Sequence, residues 1–252
     1  MTSSILLTGG TGTLGRLVTP LLLDAGCEVR VLSRQGRESG NGIEYVTGDL
    51  LKGEGIELAV DGAEIVLHLA GGPKGDDEAT RNLVRAASQA KVRHLAYISV
   101  IGAGQVPLGY FKRKFEAERA VADSGLPWTT LRAAQFHDLV LNVVSTMAKM
   151  PVIPVPGGLR FQPVDARDVA ARLVELTLGE PAGLVPDLAG PKVYGMGELS
   201  RGYLQARGKR RPMMPIRMPG KAGRAYRAGE NLSLEGADMG KRTWEEFLVE
   251  RV

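Results

Sequence analysis

Residues 4–15 read Ser4-Ile5-Leu6-Leu7-Thr8-Gly9-Gly10-Thr11-Gly12-Thr13-Leu14-Gly15, and this stretch decides the fold. A short apolar run enters a glycine turn, and a helical pattern, Leu14 to Ala25, begins at once. Gly10, Gly12 and Gly15 satisfy G-x-G-x-x-G, while Gly9, Gly12 and Gly15 satisfy a looser three-residue spacing. One glycine permits the tight turn, one lets backbone N–H groups approach a pyrophosphate, and one lets helix and strand pack closely. Strand, turn and helix in that order point to a dinucleotide site built by Thr8, Gly9, Gly10, Thr11, Gly12, Thr13, Leu14 and Gly15.

Outward from the turn, apolar runs recur with room for a helix between them. Strands are read at Ile5 to Thr8, Glu28 to Leu32, Glu44 to Val46, Ile65 to Leu69, Leu95 to Val100 and Trp128 to Leu131. Helices are read at Asp76 to Ala90, with an acidic first turn, and at Lys112 to Asp123, closed by Ser124-Gly125 and Pro127. The expectation is an α/β protein: a doubly wound parallel sheet, the Rossmann fold, in a single domain over residues 1–252. Past Arg132 the alternation fades. A helix-like Phe136 to Lys149 gives way to the proline-rich run 151–158, read as a loop or edge strand. Further helices are expected at Arg167 to Leu178, Glu198 to Ala206 and Trp244 to Arg251, with a strand near Leu184 to Leu188. From about residue 133 onward these pieces are expected to form a small substrate-side lid.

Thirty-three glycines in 252 residues, nearly twice the average usage of about 7%, demand many tight turns. The lone cysteine, Cys27, cannot make an internal disulfide, and no apolar stretch approaches the roughly 18 residues of a membrane span. A cytoplasmic setting without a membrane partner is expected. A formal charge of +4 suits small anions as well as nucleic acid and decides little. Nine Lys or Arg and no Asp or Glu fall between Arg201 and Gly229. A nucleic-acid face is one reading, and a solvated rim is favoured because prolines and methionines interleave with the bases.

The second strand ends at Val31-Leu32-Ser33-Arg34, where NAD-specific sites place a carboxylate for the ribose 2′-hydroxyl. Ser33 and Arg34, with Arg37 close behind, offer instead a hydroxyl and a planar guanidinium that suit a 2′-phosphate. NADP(H) is therefore expected in preference to NAD(H); the alternative is a solvated arginine at a strand end. Asp49, in Gly48-Asp49-Leu50, either accepts from an adenine amino group or closes an Asx-turn. The histidines His68, His94 and His137 lack ligand-like spacing, so no metal is expected. His68 and His94 read as packing groups, Asp165 and Asp168 as caps for the helix near Arg167, and Trp244 as a core anchor.

Together the turn, Gly48-Asp49-Leu50, His68-Leu69-Ala70-Gly71, Asn82-Leu83-Val84, Ser99, the stretch from Pro107 to Lys114, Leu131 to Phe136 and Phe161 to Asp165 resemble the short-chain dehydrogenase/reductase superfamily. More narrowly, the chain resembles its atypical, NmrA-like NAD(P)H-binding branch, over nearly its whole length. The resemblance implies that Leu50, Leu69, Ala70 and Gly71 line the cofactor and that Ala134, Gln135 and Phe136 lie near the nicotinamide. His137, which follows that segment, is a candidate substrate contact. Catalysis would fall to Ser99, Tyr110 and Lys114: Ser99 polarising a carbonyl, Tyr110 exchanging a proton and Lys114 also holding the ribose. A spacing of four puts Tyr110 and Lys114 on one helical face, where the ammonium can favour the phenolate. The implied function is an NADP(H)-dependent oxidoreductase acting on a small carbonyl, enone or quinone-like substrate, as a monomer or small homo-oligomer. The rival reading is a non-catalytic redox sensor or scaffold of NmrA type.

Overall fold

The computed structural model describes residues 3–72 and 74–252. In chain order its elements are β1 (Ser4–Thr8), α1 (Gly15–Asp24), β2 (Glu28–Ser33), β3 (Ile43–Thr47), α2 (Ile56–Val60), β4 (Ile65–His68), α3 (Asp76–Gln89), β5 (His94–Val100), α4 (Gly109–Ala122) and β6 (Trp128–Ala133). There follow α5 (His137–Met147), β7 (Ile153–Pro156), β8 (Arg160–Phe161), α6 (Ala166–Leu178), β9 (Gly183–Leu184), β10 (Leu188–Ala189) and β11 (Tyr194–Gly195). The chain ends with α7 (Met196–Ala206), β12 (Met213–Ile216), α8 (Gly220–Ala228), β13 (Asp238–Met239) and α9 (Trp244–Arg251). Two compact units emerge: Met1–Ser99 with Gly109–Leu131 and Ala170–Val185, and Val100–Leu108 with Arg132–Val169 and Pro186–Val252.

The first unit holds the expected parallel sheet, ordered β3-β2-β1-β4-β5-β6, with β9 against β6. This is the order of a doubly wound dinucleotide-binding sheet. Its inner strands are buried along nearly their whole length, as parallel strands covered by helices must be. Register does the work that matters for a site: Thr8 pairs with both Leu32 and His68, and Ser33 with Thr47. The carboxyl ends of β1 to β4 therefore finish level, and the four loops that follow them share one rim. The core beneath runs from Leu6, Val66 and Tyr97 to Leu83, Ala117 and Val121.

The short helix α2 escapes sequence reading because five residues are less than two turns, yet Ile56, Ala59 and Val60 are buried. Helix α4 begins at Gly109, three residues before Lys112, and so takes Tyr110 into its first turn.

The second unit packs around Trp244, fully buried with Phe247, Leu248, Leu199 and Val144. Its indole N–H donates to the Leu199 carbonyl at 3.1 Å, and a Thr243/Glu246 capping box starts α9. The proline-rich run contributes β7, which pairs in parallel with β12 in a two-stranded sheet. Pro154 and Pro156 are tolerated there because such a strand has an open side that needs no donor. The single strand expected at Leu184 to Leu188 is two short ones, β9 and β10, with Pro186 between them. Helix α8 was not legible, since glycines and basic residues dominate Gly220 to Ala228 and the residues it buries, Gly223 and Ala225, are small.

Candidate dinucleotide cleft

At the rim of the first unit a cleft of about 1000 Å³ opens over the ends of β1 to β4. Its wall takes Thr8, Gly9, Thr11 and Gly12 from the glycine turn, Ser33, Arg34 and Arg37 after β2, and Asp49 and Leu50 after β3. After β4 it takes Leu69, Ala70 and Gly71, then Gly72, Lys74 and Asp76 at the start of α3. Open α/β sheets bind ligands at this end of their strands.

The turn is closed by Gly12 N–H donating to the Gly9 carbonyl at 3.0 Å. A Cβ on Gly9, at φ +72°, would fall 2.6 Å from the Ala70 nitrogen, so the turn lies directly against the β4 loop. Gly10 and Gly15 serve packing: a Cβ on Gly10 would meet Val31 at 2.8 Å, and one on Gly15 the Gly9 carbonyl oxygen at 2.3 Å. Thr13, Leu14, Gly10 and Gly15 stand outside the cleft wall. Leu14 is buried, and its carbonyl accepts from Leu17 and Val18 at the head of α1. Thr8 Oγ1 accepts from the Ala70 N–H at 3.2 Å and bonds His68 Nδ1 at 2.7 Å, which ties β1 to β4 under the cleft. This glycine cradle at a helix N-terminus, with space for a large ligand, fits a dinucleotide pyrophosphate.

Beyond β2 the Ser33 hydroxyl donates to the Gln35 carbonyl at 2.8 Å, so it shapes the turn that presents Arg34. Arg34 is exposed on the cleft wall, and Arg37 lies over the Tyr45 ring at 5.9 Å. Asp49 Oδ1 accepts from the Leu51 and Lys52 N–H groups at 2.9 and 3.3 Å. Of the two readings of Asp49, the Asx-turn is the one present, and it leaves the residue in the cleft wall.

The three residues assigned to catalysis all belong to the first unit. Ser99, near the end of β5, is buried, and its Oγ has no hydrogen-bond partner among the described residues. Tyr110 is 38% exposed in the first turn of α4, with its ring edge-on to Phe111. Lys114, one turn further on, is buried. Its ammonium lies 3.1 Å from Asp76 Oδ2 and donates to the Tyr97 hydroxyl at 3.1 Å and the Ile98 carbonyl at 3.2 Å. Sequence spacing pairs Lys114 with Tyr110; in the structure a carboxylate and a second phenol, neither singled out in the sequence, engage its charge. Burial pushes the Lys114 ammonium below its ordinary pKa, while Asp76 and then Glu118 oppose that shift. The Tyr97 phenol is held well above its usual value by burial and by Asp76, so it stays neutral.

Ala134, Gln135, Phe136 and His137 belong to the second unit. Ala134 N–H donates to the Leu188 carbonyl at 2.9 Å, and the Gln135 carbonyl accepts from Val164 at 3.0 Å. The Gln135 side-chain amide is buried with no partner among the described residues. His137 is fully buried against Trp244 and Phe247, with ring centroids at 5.8 and 5.1 Å, which makes it a packing group in the present state. Asp165 caps α6 as expected, accepting from the Arg167 N–H at 2.8 Å. Asp168 instead accepts from the Lys241 N–H at 2.7 Å and holds the chain ahead of α9. Among the described residues no group of three or more His, Cys, Asp or Glu could hold a metal, and no helix is long and apolar enough to cross a membrane.

Residues 9–177 match the profile of a family described as NAD(P)H-binding. A (4-alkanoyl-5-oxo-2,5-dihydrofuran-3-yl)methyl phosphate reductase of Streptomyces griseus is 34% identical over 181 residues, 69% of this chain and 63% of that protein. The chain thus spans less than two thirds of that relative. Quinone oxidoreductase 2 of Escherichia coli is 26% identical over 214 residues, covering 81% of this chain and 75% of that one. Among solved structures, an Escherichia coli NADPH-dependent quinone oxidoreductase complexed with NADPH superposes with a TM-score of 0.84 at 21% identity, over 98% of this chain and 99% of that one.

Proposed function

The chain belongs to the NAD(P)H-binding family, and on that footing we propose that it is an NADP(H)-dependent oxidoreductase of the short-chain dehydrogenase/reductase type. Its substrate in this reading is a small carbonyl, enone or quinone-like compound. The observation that carries the proposal is the composition of the cleft rim, with Arg34 after β2 and the Lys114 ammonium behind Gly71 after β4. The reductase relatives support the class of reaction.

When bound in this cleft, a nicotinamide dinucleotide would supply or accept the hydride. Backbone N–H groups of Gly9 and Thr11 would hold the pyrophosphate, Gly12 would let it approach the turn closely, Arg34 would pair with the 2′-phosphate, and Leu69, Ala70 and Gly71 would line the path between. Ser99 Oγ, without a partner among the described residues, is the donor that would polarise a substrate oxygen. Tyr110, the exposed phenol of α4, exchanges the proton with that oxygen or its neighbouring carbon. Lys114, one turn along α4 from Tyr110, would contribute positive charge that favours the Tyr110 phenolate.

Purified protein with NADPH and a panel of quinones, enones and carbonyls tests this by absorbance at the nicotinamide band. Tyr110→Phe keeps ring volume and deletes the ionisable oxygen. NADPH affinity should survive, and turnover should fall by roughly 10²–10⁴-fold, the usual worth of a positioned proton donor. Unchanged turnover in Tyr110→Phe would remove that residue from the mechanism. No turnover by the wild-type protein on the whole panel, with NADPH binding intact, would favour the sensor reading.

A further inference from the structure

The Asp76 carboxylate serves three groups at once. Oδ2 lies 3.1 Å from Lys114 Nζ and accepts from the Tyr97 hydroxyl at 3.4 Å, while Oδ1 accepts from the Gly72 N–H at 3.3 Å. Asp76 and Lys114 are 3% and 5% exposed, so this ion pair is shielded from water and salt. Gly72 and Asp76 both belong to the cleft wall. Lys114 stands just behind it: a Cβ on Gly71 would lie 3.1 Å from Nζ and 3.1 Å from Asp76 Oδ1. A side chain at 71 would push the pair back from the cleft by a few tenths of an ångström.

The local fold supports a charged carboxylate at this place. Gly75 at φ 72° turns the chain into α3, whose first residue is Asp76, and a helix N-terminus favours a negative charge. Beneath it, the Thr80 hydroxyl donates to the Asp76 carbonyl at 2.7 Å and bonds His68 Nε2 at 3.0 Å. The His68 ring stacks on Tyr97 at 5.2 Å. Away from the cleft, the ion pair is braced by neighbours on β4, β5 and α3.

We propose that Asp76 is a positioning residue for Lys114: it anchors the ammonium at the Gly71–Gly72 edge of the cleft and keeps it protonated there, with Tyr97 as the third member of the cluster. This rests on the reading that the cleft takes NADP(H) and that Lys114 serves it. Lys114 is then not a loose charge that Tyr110 borrows; its location is set from α3. A ligand hydroxyl arriving beside Gly71 meets an ammonium already held in place, with no rotamer search left to complete.

The groups that face Lys114 decide the pH behaviour. Asp76 and Glu118 hold its pKa up against burial, Tyr97 is kept neutral, Tyr110 acts on Tyr97, and His68, with its pKa lowered to about 3, is uncharged across the working range. Removing the Asp76 charge leaves burial less opposed, so Lys114 should lose its proton at lower pH.

The test uses the full chain without added nucleotide, labelled with ¹³C-lysine, and follows the Lys114 Cε resonance from pH 6 upward; Lys114→Arg identifies the signal. In Asp76→Asn the titration midpoint should fall by about one pH unit or more, and Asp76→Glu should recover most of that shift. An unchanged midpoint in Asp76→Asn would overturn the proposal. Should Asp76→Asn fail to fold, Tyr97→Phe gives the second reading: it spares the carboxylate, so the midpoint should move much less than one unit, and a full-unit fall would assign control to Tyr97 instead. NADPH affinity measured against pH then separates the two layers. A Lys114 shift accompanied by earlier loss of affinity supports both; a shift with an unchanged affinity profile upholds Asp76 and removes Lys114 from the cofactor site.

Discussion

At Gly15 the difference between a hydrogen and a methyl group decides whether the glycine turn can close. A Cβ there would lie 2.3 Å from the Gly9 oxygen and 2.4 Å from the Gly10 Cα, both rigid backbone atoms. Gly15→Ala should therefore cost about 1–3 kcal/mol through forced backbone movement, a fall of roughly 2–12 °C in Tm, together with weaker NADPH binding. Gly40→Ala, with open space at that site, is the control and should shift Tm little. A Gly15→Ala protein as stable as the control would show that helix and strand approach less closely than described. This residue was legible because glycine spacing encodes backbone geometry. Asp76 and Tyr97 were not: in the sequence one is an acidic residue opening a helix and the other an apolar-run tyrosine. Their pairing with Lys114 depends on three elements meeting in space.

At the scale of elements, the histidines show what burial inside strands and helices does. His68 ends β4 and bonds Thr8 and Thr80; His94 opens β5 and bonds Thr129 Oγ1 at 2.9 Å and the Thr177 carbonyl at 3.2 Å. His137 opens α5 among aromatic rings. All three have pKa values lowered first of all by desolvation, His68 to about 3. Below the unfolded value near 6.5 the unfolded chain binds more protons than the native one, so stability is full above that pH and falls as pH drops through it. Each fully neutral native histidine contributes a slope of up to about 1.4 kcal/mol per pH unit in that window. Urea midpoints measured from pH 8 to 4 should decline below about 6.5, and His68→Gln should flatten the decline. A flat profile would mean that these rings titrate normally in the folded protein. The packing role of His68 and His94 was legible from their strand positions. The late elements were less so: β7 and β12 pair across 60 residues, and prolines and glycines mask the periodicities on which strand and helix reading depends.

For the molecule as a whole, the first unit follows directly from its sequence, since glycine turn, strand spacing and acidic helix start all agree with the order β3-β2-β1-β4-β5-β6. The second unit carries a core of its own around Trp244, which composition alone did not announce. The central proposal is that the cleft of the first unit takes NADP(H), with Arg34 standing where a carboxylate would select NAD(H). Calorimetric titration of the wild-type protein and of Arg34→Ala with NADPH and NADH tests this most directly. A charge-assisted contact to the 2′-phosphate is worth about 1.5–3 kcal/mol, so NADPH should bind tenfold or more tighter than NADH, and Arg34→Ala should lose most of that preference while leaving NADH affinity nearly unchanged. Equal affinities for the two nucleotides, or a preference that survives Arg34→Ala intact, would contradict it.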